Sequence, residues 1–255
     1  MSTVPQASTA NHLLRALSAA DYALLEPDLQ REHFAMGAEL FRADAPHERV
    51  HFPESGVASI VAEQDGGDQI EVGLYGMEGM SGGAVLLGAG QSPHRSMVQV
   101  GNAVSVGIAA GKLRDACDRS ATLRDLLLRY VHTLTVQAAL TAASNAHYAL
   151  PERLARWLLM CHDRVEDDRL ELTHEFMAMM LAVRRSGVTV TLHTLEATGA
   201  IRSTRGLVTV RDRARLEEIA GDSYGSAERE YRRLLGPFGK SAARAPEACS
   251  RPRRI

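Results

Sequence analysis

The amino-acid sequence predicts an α+β fold: an N-terminal antiparallel β-roll of the jelly-roll type, then a long helix, then a small unit of short helices and a β-hairpin. Three observations support this order. Short apolar runs broken by Gly, Pro and Asp fill residues 34–110, helical periodicity extends over residues 119–147, and the pattern changes again from residue 148. We divide the chain into residues 1–117, 118–147 and 148–220, with residues 221–255 as a C-terminal extension. A closing helix is expected over residues 211–235, and the rest of the extension is expected to be largely disordered.

The strand prediction for the first unit rests on four apolar runs, at residues 50–52, 56–61, 69–74 and 97–100. The cluster Asp65-Gly66-Gly67-Asp68 suits a hairpin turn, because Gly and Asp tolerate the positive φ that tight hairpins require. Many short strands at this spacing are typical of an antiparallel roll.

The central helix is the longest stretch with helical periodicity. Its stripe repeats every 3.5 to 3.6 residues and consists of Leu123, Leu126, Leu127, Tyr130, Leu134, Gln137, Ala138 and Thr141. A modest roll cannot cover so long a stripe, so we predict that the helix pairs with a second copy of the chain. A long core helix buried within one chain is the alternative.

Residues 172–195 contain two short segments joined by the pair Arg184-Arg185. The Thr173 hydroxyl suits a helix N-cap, and apolar residues then recur at helical spacing. The second segment, VTVTL from residue 188, is β-branched and alternating, so pattern alone leaves helix and strand equally open. As a helix it would place an apolar stripe on one side and a row suited to a DNA groove on the other: Arg185, Ser186, Thr189 and His193.

Charge is distributed unevenly along the chain, although the net charge is only -2. Up to residue 147 there are ten Lys and Arg against sixteen Asp and Glu. Residues 184–215 instead contain seven arginines against Glu196 and Asp212. A local cationic surface favours a polyanion such as double-stranded DNA, and an ordinary solvated Arg-rich surface is the alternative.

Residues 34–215 resemble the Crp/Fnr family of bacterial transcription regulators, and residues 172–201 fall where that family has its helix-turn-helix. The segment FPESGVASIV at residues 52–61 is similar to the family's early strands. The resemblance implies an effector-sensing roll, a long dimerisation helix, and a winged helix-turn-helix over residues 148–220, with the wing at IRSTRGLVTV (201–210). It favours a helix for residues 186–197. It also implies a homodimer on pseudo-palindromic DNA, with RNA polymerase as a further partner.

The family resemblance assigns roles to individual residues of the DNA-binding unit. Arg185 matches the position whose arginine contacts a base edge, and Ser186 and Val190 stand where the family usually carries Glu and Arg. The operator is therefore expected to differ from the family's usual sequence. Thr189 is predicted to contact a base or a phosphate, and the predicted phosphate contacts are Thr173, Arg184, Arg202 and Arg205.

A candidate effector site lies at residues 79–96. Gly79, Gly82 and Gly83 would let backbone N–H groups approach an anion, and Arg95 and Ser96 would supply a charge and a hydroxyl. The Arg-Ser pair resembles the end of the family's cyclic-nucleotide cassette, but Gly82-Gly83-Ala84 lacks its ribose-binding glutamate. A cyclic nucleotide is thus disfavoured, while haem, a small metabolite, a protein partner or no effector all stay open.

Two alternatives to a DNA-binding regulator remain. One is a cyclic-nucleotide-like sensor acting through protein partners. The other, more remote, is a serine hydrolase, because Gly79-Met80-Ser81-Gly82-Gly83 fits the G-x-S-x-G nucleophile elbow. That motif needs a strand before Ser81 and a full helix after it, and Gly88-Ala89-Gly90 interrupts any helix, so we predict no enzyme activity.

The remaining composition restricts the class of protein further. Cys117, Cys161 and Cys249 are too few for an iron–sulfur cluster and lack the spacing of a disulfide framework or a zinc site. The N-terminus lacks the basic-then-apolar order of a signal peptide, and no apolar run approaches the roughly 20 residues of a membrane span. We therefore expect a soluble, cytoplasmic protein with no membrane partner.

Overall fold

The computed structural model describes residues 4–63, 67 and 69–240. Two short helices come first, α1 (His12–Ala16) and α2 (Ala19–Leu25). Polar side chains cap both: Asn11 accepts hydrogen bonds from the first N–H groups of α1, and Ser18 accepts one from the first turn of α2. Their apolar sides pack against the roll that follows.

The predicted antiparallel roll is present as two sheets. Its strands are β1 (Gln30–Phe34), β2 (Glu39–Phe41), β3 (Arg49–Pro53), β4 (Val57–Glu63), β5 (Gln69–Tyr75), β6 (Arg95–Val100) and β7 (Ala103–Ala109). One sheet has the order β1-β7-β3 and the other β2-β6-β4-β5, and neighbouring strands are antiparallel. The four predicted runs correspond to β3, β4, β5 and β6. Of the predicted hairpin turn at residues 65–68, only Gly67 lies within the described residues.

The second sheet of the roll has two different apolar faces, because alternate side chains of a strand point to opposite sides. The interior face packs Leu40, Ala58, Tyr75 and Val98 together with Ala103. The outer face contributes Val57, Val61, Leu74 and Val100 to the core of the C-terminal unit. The roll and the C-terminal unit therefore share one apolar core.

The long helix is divided at Ser120. Helix α4 (Ala110–Arg119) ends there, and α5 (Ala121–His147) begins with the Ser120 hydroxyl capping the N–H of Leu123. The predicted boundary at residue 118 thus falls inside α4. At 27 residues, α5 is about 40 Å long.

Part of the predicted stripe of α5 is covered within the subunit, whereas Leu126, Leu134, Ala138 and Thr141 of the stripe are half-buried. Leu123, Leu127 and Tyr130 are at most 2% exposed. Tyr130 donates a hydrogen bond to the carbonyl of Met80 in the roll, and Gln137 accepts one from the N–H of Leu74. The side of α5 that carries Ala139, Ala142 and Ala143 is exposed instead.

The C-terminal unit has the predicted order of helices and a hairpin. Its elements are α6 (Leu150–His162), β8 (Arg169–Glu171), α7 (His174–Met180), α8 (Arg185–Ala197), β9 (Ile201–Thr204), β10 (Leu207–Val210) and α9 (Arg213–Ala220). The strands form an antiparallel sheet with the order β8-β10-β9. Leu154, Trp157 and Leu158 of α6 lie in its core.

The closing helix expected over residues 211–235 is present as two helices, α9 and α10 (Ser226–Leu235), and the structure continues beyond them to residue 240. Helix α10 packs along α5, and Tyr231 donates a hydrogen bond to the carbonyl of Glu78 in the roll. Phe238 is 4% exposed, with its ring 4.8 Å from that of Tyr231 and 5.0 Å from the guanidinium of Arg164. Residues 241–255 lie outside the described residues.

Buried polar pairs join the roll to the C-terminal unit. Arg164, just after α6, is paired with Glu78 of the roll at 2.7 Å, and both side chains are at most 3% exposed. Trp157 donates a hydrogen bond of 2.9 Å to Glu71 of β5. Such pairs need good geometry because removing two charges from water is costly. They therefore specify one arrangement of the two units.

Within the described part of the chain, no helix has both the length and the apolar character needed to cross a membrane.

Candidate DNA-binding surface

The two helices α7 and α8 form the predicted helix-turn-helix. Thr173 is the N-cap of α7, where its hydroxyl accepts a hydrogen bond of 3.1 Å from the N–H of Phe176. The turn between the helices includes Ala182, which has a positive φ of 51°. Arg153 of α6 donates a hydrogen bond to the carbonyl of Leu181 at the end of α7, so the turn is fixed to the helix beneath it.

The open choice between helix and strand at residues 188–192 is decided in favour of a helix. Burial requires it: Val188, Leu192 and Leu195 lie on one side and are at most 1% exposed. The threonines are accommodated because Thr189, Thr191 and Thr194 each donate a hydrogen bond to the carbonyl four residues earlier. The β-branched pattern is thus a helix whose hydroxyl groups are satisfied locally.

The outward side of α8 carries Arg185, Ser186 and His193, all exposed. Val190, also on this side, is 66% exposed. Thr189 differs from the prediction: it is half-buried, and its hydroxyl lies 2.9 Å from Nδ1 of His174 in α7. Sequence reasoning did not single out His174, because its pairing joins two helices and has no local signal.

The hairpin β9–β10 forms the predicted wing. Thr204 pairs with Leu207, so Arg205 and Gly206 make a two-residue turn, and Gly206 has the positive φ of 75° that such turns require. Arg202 and Arg205 are exposed on this hairpin. Glu196 of α8 accepts a hydrogen bond of 3.0 Å from the N–H of Ser203, which fixes the wing relative to α8.

The seven arginines of residues 184–215 fall into two groups. Arg213 is paired with the buried Asp163 at 2.7 Å, and Arg215 is paired with Glu218. Two of the seven positive charges counted from the sequence are therefore paired with carboxylates within the fold. The others have neither a hydrogen bond from the guanidinium nor an ion pair among the described residues: Arg184, Arg185, Arg202, Arg205 and Arg211. The unpaired charge thus lies at the start of α8, on the wing and directly after it.

The predicted effector glycines pack closely against neighbouring elements. A Cβ on Gly79 would overlap with the hydroxyl of Tyr130, and one on Gly83 would lie 3.3 Å from Val131, both on α5. Gly82 has a positive φ of 68° and precedes the short helix α3 (Gly83–Leu86). Gly79 and Gly83 let the segment 79–96, here called the cassette, lie against α5, and a Cβ on Gly82 would lie 3.1 Å from Val50 of β3. Packing therefore explains these glycines without a ligand.

Arg95 and Ser96 lie at the start of β6, where other side chains already contact them. Ser96 is fully buried, and its hydroxyl is 2.7 Å from that of Tyr75. Burial raises the pKa of Tyr75, which therefore remains a neutral phenol. Arg95 donates a hydrogen bond of 2.6 Å to Gln69 and lies 3.7 Å from Glu39. An anion would have to displace these partners, so the effector role of the pair stays a prediction.

The surroundings of Ser81 do not match a nucleophile elbow. Ser81 is 1% exposed and accepts a hydrogen bond of 2.8 Å from the N–H of His51, and its hydroxyl is 3.5 Å from Nδ1 of the same histidine. The residues before it form a turn rather than a strand, and α3 after it is four residues long. The strand-turn-helix context that such a serine requires is absent around Ser81.

An antiparallel roll, a long helix and a winged helix-turn-helix therefore follow one another along the chain. The comparisons with known proteins agree. The family model described as the Crp-like helix-turn-helix domain matches residues 152–219. The chain therefore carries a Crp-like helix-turn-helix domain, and its resemblance to the Crp/Fnr family is confirmed.

Solved structures of three regulators show the same fold. A CRP-family transcriptional regulator from Thermus thermophilus aligns with a TM-score of 0.64 and 19% identity, over 76% of this chain and 99% of its own. FixK2 from Bradyrhizobium japonicum aligns with a TM-score of 0.64 and 15% identity, over 76% and 98%. A regulator assigned to the Crp/Fnr family from Eubacterium rectale aligns with a TM-score of 0.64 and 20% identity, over 82% and 97%. No curated protein matches the chain.

Proposed function

We propose that the protein is a homodimeric transcription regulator of the Crp/Fnr type, which places one α8 per subunit in successive major grooves of a pseudo-palindromic operator. One observation carries this proposal: arginines without a partner among the described residues surround the exposed side of α8. Arg184 and Arg185 lie at the N-terminus of α8, and Arg202 and Arg205 lie on the wing. The arginine charges suit contact with the phosphates of DNA. The hydrogen-bonding side chains that lie between them suit contact with the base edges in the groove.

Within that surface, each residue has a distinct proposed role. Arg185 donates to a guanine edge, and Ser186 contacts the neighbouring base. Val190, exposed on the same side, suits apolar contact with a thymine methyl group. The hydroxyl of Thr189 is held by His174, so we assign Thr189 to phosphate or to positioning rather than to a base. The phosphate contacts are Thr173, Arg184, Arg202 and Arg205.

Support for the homodimer comes from the second side of α5. The side facing the roll and α10 is covered, whereas the neighbouring side carries a second stripe of largely apolar residues that are half-buried or exposed. Its residues follow heptad spacing, at Leu128, Val131, Thr135, Ala138 and Ala142. A helix with apolar residues on both sides is usually buried on both, and a two-fold pair of α5 helices would bury this stripe.

We infer that cyclic AMP is not the effector. The cassette lacks a carboxylate for the ribose, and the hydroxyl of Ser96 is already hydrogen-bonded to that of Tyr75. The alternative of a sensor that acts only through protein partners has no specific observation in its favour. Contact with RNA polymerase stays a prediction from the family.

The test is selection of bound duplexes from a randomised DNA pool at low salt, with and without cell extract as an effector source. We expect enrichment of a two-fold symmetric site whose half-sites lie about one helical turn apart. Recovery of unenriched DNA in both conditions would contradict sequence-specific binding. Enrichment of a single half-site would contradict the dimer.

A further inference from the structure

A cleft of about 660 Å³ lies between the roll and the C-terminal unit, apart from both the cassette and the outward side of α8. Six apolar side chains line it: Met36, Met97, Leu172, Phe176, Met179 and Leu207. Three of them are methionines, whose flexible thioethers adapt to ligands of different shape. Clefts of this size, mostly apolar and placed between domains, are typical of small-molecule sites.

Gln99 supplies the polar group of this cleft. It lies two residues after Met97 on β6, and both side chains line the cleft, while Val98 between them packs in the interior of the roll. Gln99 is 1% exposed, and neither its amide oxygen nor its amide nitrogen has a hydrogen-bond partner among the described residues. An unsatisfied buried amide is costly, so a ligand that supplies both a donor and an acceptor would remove that cost.

The charged groups at the rim do not select a charged ligand. Arg169 and Glu171, on β8, also line the cleft and have opposite signs. Thr173 adds a hydroxyl at the same rim. The residues that line the cleft are therefore mostly apolar, include one neutral amide and carry no net charge.

We propose that this interdomain cleft is a binding site for an uncharged small molecule with an aromatic or branched apolar body and one amide-like group that pairs with Gln99. The cleft has walls on both units: Met36 and Met97 belong to the roll, and Phe176 and Met179 to α7. A ligand that contacts both stabilises the arrangement in which they lie together. This makes the cleft an effector site that acts on the orientation of the helix-turn-helix, a consequence that rests on the proposed DNA-binding function.

Binding itself is tested without DNA, on the full chain, with two naphthalene probes that differ in one group. 2-Naphthamide has both a donor and an acceptor, whereas methyl 2-naphthoate has acceptors only. We expect saturable binding by calorimetry, with 2-naphthamide bound about tenfold more tightly, as one additional hydrogen bond to an otherwise unsatisfied amide can give. The absence of saturable binding, or equal affinity for both probes, would overturn the proposal.

Variants test the location of the site. Gln99→Met keeps the size of the side chain and removes the amide, so the preference for 2-naphthamide should disappear while methyl 2-naphthoate still binds. Met36→Ala should weaken both probes severalfold. Leu87→Ala is the matched control, because Leu87 is similarly exposed, at 65% against 54% for Met36, and lies outside the cleft. Preserved discrimination in Gln99→Met, or equal effects of the two alanine variants, would place the binding elsewhere.

If the probes bind as expected but leave the affinity for the selected DNA unchanged, the cleft is a binding site without control over α8, and the effector part of the proposal fails. If no DNA is selected at all, the function proposed for α8 fails while the binding result stands.

Discussion

Arg185 is the first residue of α8 and has no partner among the described residues, so its guanidinium is available to a base edge. Arg185→Ala should reduce affinity for the selected site by about 1–3 kcal/mol and remove discrimination at one base pair, because a bidentate contact to guanine carries sequence information. Binding to single-base operator variants measures both effects. Equal weakening on selected and random DNA would show that Arg185 contacts phosphate only.

Arg205 lies at the tip of the wing, and its proposed role is contact with the phosphate backbone of DNA rather than with the bases. Arg205→Ala should weaken specific and random binding alike and lower the slope of log affinity against log salt by about one. Titrations at several salt concentrations give that slope. An unchanged slope would exclude Arg205 from the phosphate contacts.

Glu71 illustrates how burial alters a single carboxyl group. Burial raises its pKa from the ordinary 4.5 to about 7, against the opposing effect of hydrogen bonds with Ser59 and Trp157. In the folded state the group therefore holds its proton at pH values where the unfolded chain has lost it. This contribution to stability is complete below about pH 4.5 and disappears as the pH rises through about 7.

Glu71→Gln removes this titration. Relative to the variant, the wild-type protein should lose stability between about pH 4.5 and 7, by an amount on the order of 3 kcal/mol, since each pKa unit corresponds to about 1.4 kcal/mol. Urea unfolding of both proteins across this range measures the difference. Parallel stability curves would mean that Glu71 titrates normally in the folded protein.

Among the elements, α10 and the segment after it are the addition that the Crp-like domain model, ending at residue 219, does not include. Phe238 anchors that segment between Tyr231 and Arg164. Phe238→Ala should destabilise the protein by about 3 kcal/mol, the lower end of the usual cost of removing a buried phenylalanine ring. It should also increase hydrogen exchange around Arg164, where the roll meets the C-terminal unit.

Leu87→Ala again serves as the control for Phe238→Ala, because Leu87 is exposed and its truncation should change the unfolding free energy by less than about 0.5 kcal/mol. A small effect of Phe238→Ala, similar to that of the control, would mean that the segment does not hold the two units together.

At the scale of the whole molecule, the proposed homodimer depends on α5 pairing with a second copy of the chain. Ala142 lies on the heptad stripe and Ala143 beside it, and both are exposed in the single chain. Ala142→Glu should therefore leave the subunit folded but convert the dimer to a monomer, because two carboxylates would face each other across the interface. Ala143→Glu should not. Sedimentation equilibrium distinguishes the two, and an intact Ala142→Glu dimer would place the interface elsewhere.

Several features of the fold were predictable because their causes are local. Periodicity alone indicates the roll and the long helix, Thr173 acts as the predicted N-cap, and Gly206 permits the turn of the wing. The helix at residues 188–192 was not decided by pattern, since β-branched residues fit a strand equally well. Its buried stripe against the core of the C-terminal unit made the difference.

The sequence by itself determined the order of the elements, the arginines at the start of α8 and on the wing, and the missing carboxylate of the cassette. Only the tertiary structure decided which of these groups are free. His174 holds Thr189, Tyr75 holds Ser96, Asp163 pairs with Arg213, and the roll covers Leu123, Leu127 and Tyr130 of α5. The physical reason is that a side chain's availability depends on partners that folding brings from distant positions, and neither periodicity nor composition contains that information.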